Sequence, residues 1–280
     1  MTSFALTNFQ KVRYFNIVFG SPRSEFKDFS VFTDHPQRVK LRWDLIDEES
    51  KELKEAIRTH DYVEILDAIS DILYVVLGAF DAFGYNPDHD LGWSGIERLI
   101  LKFKIDLIPE LDAHFSRDRM ALVLESENTT IRELFTEINK SYSDELSKLH
   151  RYMFENKYNS PKNNYNLVIA QLMTIHEYLY LWAYLFGFNL DQTFALVHES
   201  NMSKLATTEE IAIETVEWYK KNKVEYDSPA YRLSEVKDNG EDRWVIYNQS
   251  SGKALKSIKY HAVDLKTYLE KASSIPGKSK

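Results

Sequence analysis

The sequence predicts an all-α protein, an antiparallel helical bundle with a small C-terminal β-hairpin. Three observations predict it. Apolar residues recur at three- and four-residue steps over long segments. Only 9 Gly and 7 Pro punctuate 280 residues, so little breaks the helices. Strand-type patterning is confined to a tail near residue 245.

From Val39 to Arg58, Leu41, Leu45, Ile46, Leu53, Ala56 and Ile57 mark one helical face. After a short break at Thr59-His60-Asp61, a second pattern runs to Phe83, where Gly84 is placed to stop it. This helix is apolar nearly all round at residues 72–77, which predicts the most buried element. So short a link makes the two helices antiparallel. Residues 86–130 read as a connection with one or two helices. A second pair follows, Ile131–Asn156 and Tyr165–Phe186, across the polar loop 157–164. Thr207-Thr208-Glu209-Glu210 reads as a capping box opening a helix to Lys223. Residues 243–247 and 253–256 read as two strands around the turn 248–252, and residues 273–280 as frayed. The expected organisation is one compact body in three stretches. These are 1–85 with the first helix pair, 86–205 with the second, and 206–280 with the last helix and hairpin.

The two pairs echo each other. Residues 72–86 can be laid on 175–189, and both end in an aromatic, a glycine, an aromatic and an asparagine. This reads as a degenerate duplication; a plain helical insertion with a convergent cap is the alternative.

Composition excludes several function classes. Hydrophobic residues at 44% and aromatics at 14% are enough for a core, so disorder over most of the chain is excluded. The absence of cysteine removes disulfide scaffolds, zinc–thiolate sites and thiol nucleophiles. No signal-like start and no run of about 18 apolar residues is present, which predicts a soluble, cytoplasmic protein without a membrane partner. A net charge of −8 argues against duplex nucleic acid as the main partner. A small anionic ligand stays open, because a metal or local lysines reverse the field at one site.

The strongest chemical signal is a set of acids on the first helix pair. Glu48, Glu49 and Glu52 lie on the first helix; Glu64, Asp67 and Asp71 lie on the second. Residues three or four apart share a helix face, so antiparallel packing brings two carboxylate edges together. A charge run usually marks a solvated face. Asp67 and Asp71, however, sit inside the most apolar helix, where unpaired acids are rare. A divalent cation removes their repulsion, and an all-oxygen donor set selects Mg²⁺, with Mn²⁺ as the substitute. A di-iron bundle needs Glu-x-x-His pairs, and none of the eight histidines follows a glutamate by three.

Residues 38–53, with Glu48-Glu49-Ser50-Lys51-Glu52, and residues 67–74 together resemble the signature of the all-α NTP pyrophosphohydrolases. That superfamily includes MazG-type enzymes, dimeric dUTPases, dCTP pyrophosphatases and phosphoribosyl-ATP pyrophosphohydrolase. Its pattern is Glu-Glu-x-x-Glu on one helix and Glu-x-x-Asp on the next. Here Ala68 stands three before Asp71, so either Asp67 or Glu64 supplies the fourth carboxylate. Residues 16–20, 197–205 and 251–260 are similar to further segments of one subgroup, with Asn16 where histidine is common. The resemblance implies a bundle of the MazG/dimeric dUTPase type, here a possible pseudo-dimer fused in one chain. It also implies that Glu49, Glu52, Asp67 and Asp71 (or Glu64) hold the metal and that Glu48 activates water. Lys204, Lys253 and Lys256 would contact phosphate. Asn16, Phe19, Tyr74, Asn201 and Tyr260 would contact the rest of the substrate. The expected reaction is (d)NTP + water → (d)NMP + pyrophosphate, with dUTP or dCTP the favoured substrates. The chain would act as a dimer or as a pseudo-dimeric monomer. The alternatives are an inactive nucleotide-binding protein and a hydrolase of another pyrophosphate, such as phosphoribosyl-ATP or an alarmone.

Overall fold

A computed structural model describes residues 6–108, 111, 117–155, 160–223, 225–238 and 240–273. The start of the predicted polar loop, residues 157–159, and the tail beyond Ser273 lie outside them. In chain order the helices are α1 (Asn8–Val18), α2 (Val31–Asp34), α3 (Pro36–Thr59), α4 (Tyr62–Ala82), α5 (Trp93–Phe103), α6 (Arg117–Glu125), α7 (Thr129–Phe154), α8 (Pro161–Phe186), α9 (Leu190–Met202), α10 (Glu209–Asn222) and α11 (Leu265–Ser273). Strands β1 (Pro229–Leu233) and β2 (Trp244–Asn248) lie between the last two helices. No helix among the described residues is long and apolar enough to cross a membrane.

The chain divides into two compact units, and not along the linear scheme 1–85, 86–205, 206–280. One unit comprises residues 1–23 and 195–263; the other comprises 24–194 and 264–280. The division falls within α9.

The larger unit is built on two helical hairpins. Pro36 opens α3 at a position where its missing N–H costs nothing, and His60 closes the helix in the left-handed conformation at φ 54°. The Asp61 carboxylate then accepts from the Glu64 N–H at 3.2 Å, capping α4 and turning the chain back. As its pattern predicts, α4 is buried on most of its circumference, with Ile65, Leu66, Ile69, Ile72, Leu73 and Val76 at its centre. It ends at Gly84, φ +70°, where a side chain would sit 1.8 Å from the Phe26 carbonyl oxygen. The second hairpin starts earlier than the sequence suggests. Ser160 caps Asn163 N–H and Pro161 takes the first turn, so residues 161–164 of the apparently polar loop already belong to α8.

Contacts between the hairpins fix their relation. Ser50 meets Tyr142 at 3.3 Å and Trp43 meets His150 edge-on at 4.8 Å, so α3 and α7 run antiparallel. The Tyr165 hydroxyl donates to the Phe83 carbonyl at 3.1 Å, joining the start of α8 to the end of α4. Gly187 ends α8 in the left-handed conformation, φ 74°, as Gly84 ends α4.

In the smaller unit, α10 opens on Thr208, whose hydroxyl accepts from Ile211 N–H. It packs with the hairpin around Ala212, Val216, Tyr219, Ile246 and Leu255. A second cluster joins Val18 and Phe19 of the N-terminal segment to Leu205 and Val245. The hairpin itself corrects the sequence reading. Strand 243–247 forms, but its antiparallel partner is Pro229–Leu233, in the register Pro229↔Asn248 to Leu233↔Trp244. Residues 253–256 return from the predicted turn and make one bridge, Tyr247↔Ala254, rather than a strand.

Candidate active site

The α3–α4 hairpin sets Glu48, Glu49, Glu52, Asp67 and Asp71 in one electrostatic neighbourhood of the larger unit. Glu49, Asp67 and Asp71 are half-buried, whereas Glu48, Glu52 and Glu64 are exposed. Burial pushes the Glu49 carboxyl up to about 8, and the charges of Asp71, Glu52, Glu48 and Asp67 push the same way. Glu64 is absent from the groups acting on Glu49. Of the two candidates left open by the motif, Asp67 is therefore the one that shares the electrostatic site.

The remaining charges of α3 separate onto another face. Lys40 pairs with Asp44 at 2.5 Å, Lys51 with Asp47 at 2.6 Å and Arg58 with Glu55 at 2.5 Å. These are exposed pairs within one helix, screened by solvent, and they contribute little to stability. The acidic run is thus two things: a solvated face, and a half-buried cluster of like charge. Glu49, Glu52, Asp67 and Asp71 present only hard oxygen donors, a set that fits Mg²⁺ or Mn²⁺. Among the described residues no three carboxylate or imidazole groups are already drawn in to ligand distance.

The second hairpin has no such set. Glu145, the candidate counterpart of Glu52 outside the echo, is held by Lys148 at 2.8 Å and by the Gln171 amide at 2.7 Å. Tyr142, in the place of Glu49, is buried. Thr174 stands opposite Asp71 in that alignment and turns its hydroxyl to the Ala170 carbonyl.

The other predicted contacts fall in two groups. In the smaller unit, Lys204, Lys253 and Lys256 line one cleft of about 660 Å³. Sequence reasoning missed Lys223 and the aromatic residues Trp218 and Tyr226 of the same cleft. Lys220-Lys221 and Lys223 close α10, and a basic last turn was the available signal. Lys204 donates to the Asn201 side chain at 2.5 Å, and the Lys256 ammonium lies 4.3 Å over the Tyr260 ring. Asn16 is buried in its unit, and Phe19 stacks on Phe15 at 4.1 Å within the core. In the larger unit Tyr74 is buried and stacks on Phe194 at 5.5 Å. The buried His176 and the partly covered His198 are both held down to about 4, chiefly by burial, and so stay neutral near pH 7.

A family model, phosphoribosyl-ATP pyrophosphohydrolase, matches residues 12–90, which include both acid-bearing helices. An uncharacterized protein of Acanthamoeba polyphaga mimivirus is 36% identical over 265 residues, spanning 94% of this chain and 96% of that one. No solved structure matches. With a phosphoribosyl-ATP pyrophosphohydrolase domain at residues 12–90, the chain belongs to the all-α NTP pyrophosphohydrolase superfamily.

Proposed function

We propose that the chain hydrolyses a nucleoside triphosphate to the monophosphate and pyrophosphate, with Mg²⁺ held by Glu49, Glu52, Asp67 and Asp71. One observation carries the reading: burial, together with the charges of four acids from two helices, raises the half-buried Glu49 to about 8. Bound there, the cation would neutralise phosphate oxygens and so lower the cost of placing a polyanion beside acids. Glu48 is exposed, next to the proposed ligands and on a neighbouring face of α3, which suits it to orient a water and take its proton. The water oxygen bonds to the α-phosphorus as the bond from that phosphorus to the bridging oxygen breaks. Pyrophosphate leaves with the electron pair, and the water proton passes to Glu48. Among the described residues, the acids of the second hairpin do not repeat the set of the first, which supports one active site per chain. Lys204, Lys253 and Lys256 are proposed as phosphate contacts because their charges gather at one cleft.

The substrate proposed is a deoxynucleotide such as dUTP or dCTP, on the likeness to dUTPases and dCTP pyrophosphatases. The description of the matching family model favours phosphoribosyl-ATP as a second reading. A pyrophosphate-release screen over NTPs, dNTPs and phosphoribosyl-ATP, with Mg²⁺ and with EDTA, tests both. Turnover should require Mg²⁺ and fall at least about a hundredfold in Glu49→Ala and Asp71→Ala. Full activity in either variant sinks the assignment.

A further inference from the structure

The larger unit holds a second cavity, of about 890 Å³, that none of the six acids lines. The C-terminal end of α8, the start of α9 and one side of α11 form it. Its walls are aromatic: Trp93, Tyr180, Tyr184 and Tyr268 all face it. Trp93 opens α5 with half its surface exposed, at 52%, an unusual place for so large a ring. Two cations share the lining, Arg119 and Lys271.

Arg119 is the distinctive group, because it lines the cavity while only 5% exposed. Its Nε donates to the Leu185 carbonyl at 3.0 Å, and its guanidinium lies 5.2 Å over the Tyr184 ring. These two contacts fix the plane of the fork before any ligand arrives, so little rotamer entropy is lost on binding. A carboxylate, Asp191, also lines the wall, and two of the wall's hydroxyls are engaged locally. The Tyr180 hydroxyl donates to Asp191 at 2.6 Å, and the Tyr268 hydroxyl accepts from Asn189 N–H at 3.1 Å. Those bonds tie α8 to α9 and α11 to the α8–α9 turn, making the walls rigid.

A rigid aromatic slot with an oriented guanidinium and a nearby ammonium suits one chemistry: a flat π-system for the rings and an anion for the cations. Its volume is that of a small-molecule site and accommodates a base, a sugar and a phosphate. We propose that this cavity is a second ligand site, for a planar aromatic anion of nucleotide size. The ring would stack against Trp93 and Tyr184, and the anion would meet Arg119 and Lys271. The site needs no divalent ion, which separates it from the proposed active site.

The test exploits that difference. Equilibrium dialysis of the full chain in EDTA would use radiolabelled AMP, dUMP and dCMP, with indole-3-acetate as a non-nucleotide aromatic anion. Saturable binding of at least one probe at a stoichiometry of one is expected. It should weaken at least tenfold in Trp93→Ala and in Lys271→Glu, both exposed positions whose folding is checked by circular dichroism. It should be unchanged in Glu49→Ala, which removes the acid site, and in Lys256→Ala, which weakens the lysine cleft. Which probe binds tighter distinguishes a nucleotide from a simpler aromatic acid. No saturable binding in EDTA, or binding that survives both Trp93→Ala and Lys271→Glu, overturns the proposal.

Discussion

At the scale of single residues, Glu49 shows how a fold stores a functional demand as a protonation state. Its carboxyl rises from an ordinary 4.5 to about 8 through burial and the neighbouring acids. A raised carboxyl favours folding while neutral. Its contribution is complete below about 4.5 and is lost as pH rises through about 8. In EDTA, the wild type should therefore lose stability from pH 5 to pH 8.5 relative to Glu49→Gln, which cannot ionise. Urea midpoints at the two pH values measure the difference; parallel curves would show that Glu49 does not sense its neighbours. His176 works in the opposite direction. Held at about 4 by burial, it stabilises the fold fully above its ordinary 6.5, and this is lost as pH falls toward 4. His176→Gln should lose less stability than wild type between pH 7 and pH 4.5 in the same measurement.

The acids themselves were legible in the sequence because their spacing fixes a helix face and their setting was incongruously apolar. The choice between Asp67 and Glu64 was not. Both are one turn or two from Asp71, and only the packing of α3 against α4 decides which acts on Glu49. The aromatic cavity left no sequence signal, since Trp93, Arg119, Tyr184 and Lys271 belong to four separate helices.

At the scale of elements, helices with strong local rules were read to within a few residues. The apolar girth of α4, the break at residues 59–61 and the stop at Gly84 all follow from local chemistry. Gly84 combines a left-handed φ with a backbone oxygen where its side chain would go. Gly84→Ala should cost at least about 2 kcal/mol, from the conformation and the enforced shift of the 26–27 backbone. Thermal unfolding measures it; a loss below about 0.5 kcal/mol would mean that segment yields freely. The hairpin was read less well. Residues 244–247 are a β-branched and aromatic run, and the nearest turn suggested the following segment as partner. The actual partner, Pro-Ala-Tyr-Arg-Leu, begins with proline and alternates weakly, so its pairing is set by tertiary packing on α10. Helices α1, α9 and α11 went unread; for α1 the Thr7–Gln10 capping box was a usable signal.

At the scale of the whole molecule, a linear partition fails because the chain ends return to distant partners. Residues 6–23 group with 195–263, and residues 264–273 group with the unit that holds the acids. No periodicity announces such a return. What the sequence did show is the echo of two helix pairs, and the structure gives both pairs left-handed glycine caps and antiparallel cross-contacts.

The hydrogen bond from Tyr165 to Phe83 and the meeting of Ser50 with Tyr142 link hairpins that the same polypeptide already tethers. A tether replaces association by an intramolecular equilibrium, with an effective local concentration on the order of millimolar. Specific activity should accordingly stay flat from micromolar to low nanomolar enzyme, as followed by initial rates at saturating substrate. A rate per chain that collapses on dilution would mean that the working unit borrows a helix pair from a second molecule.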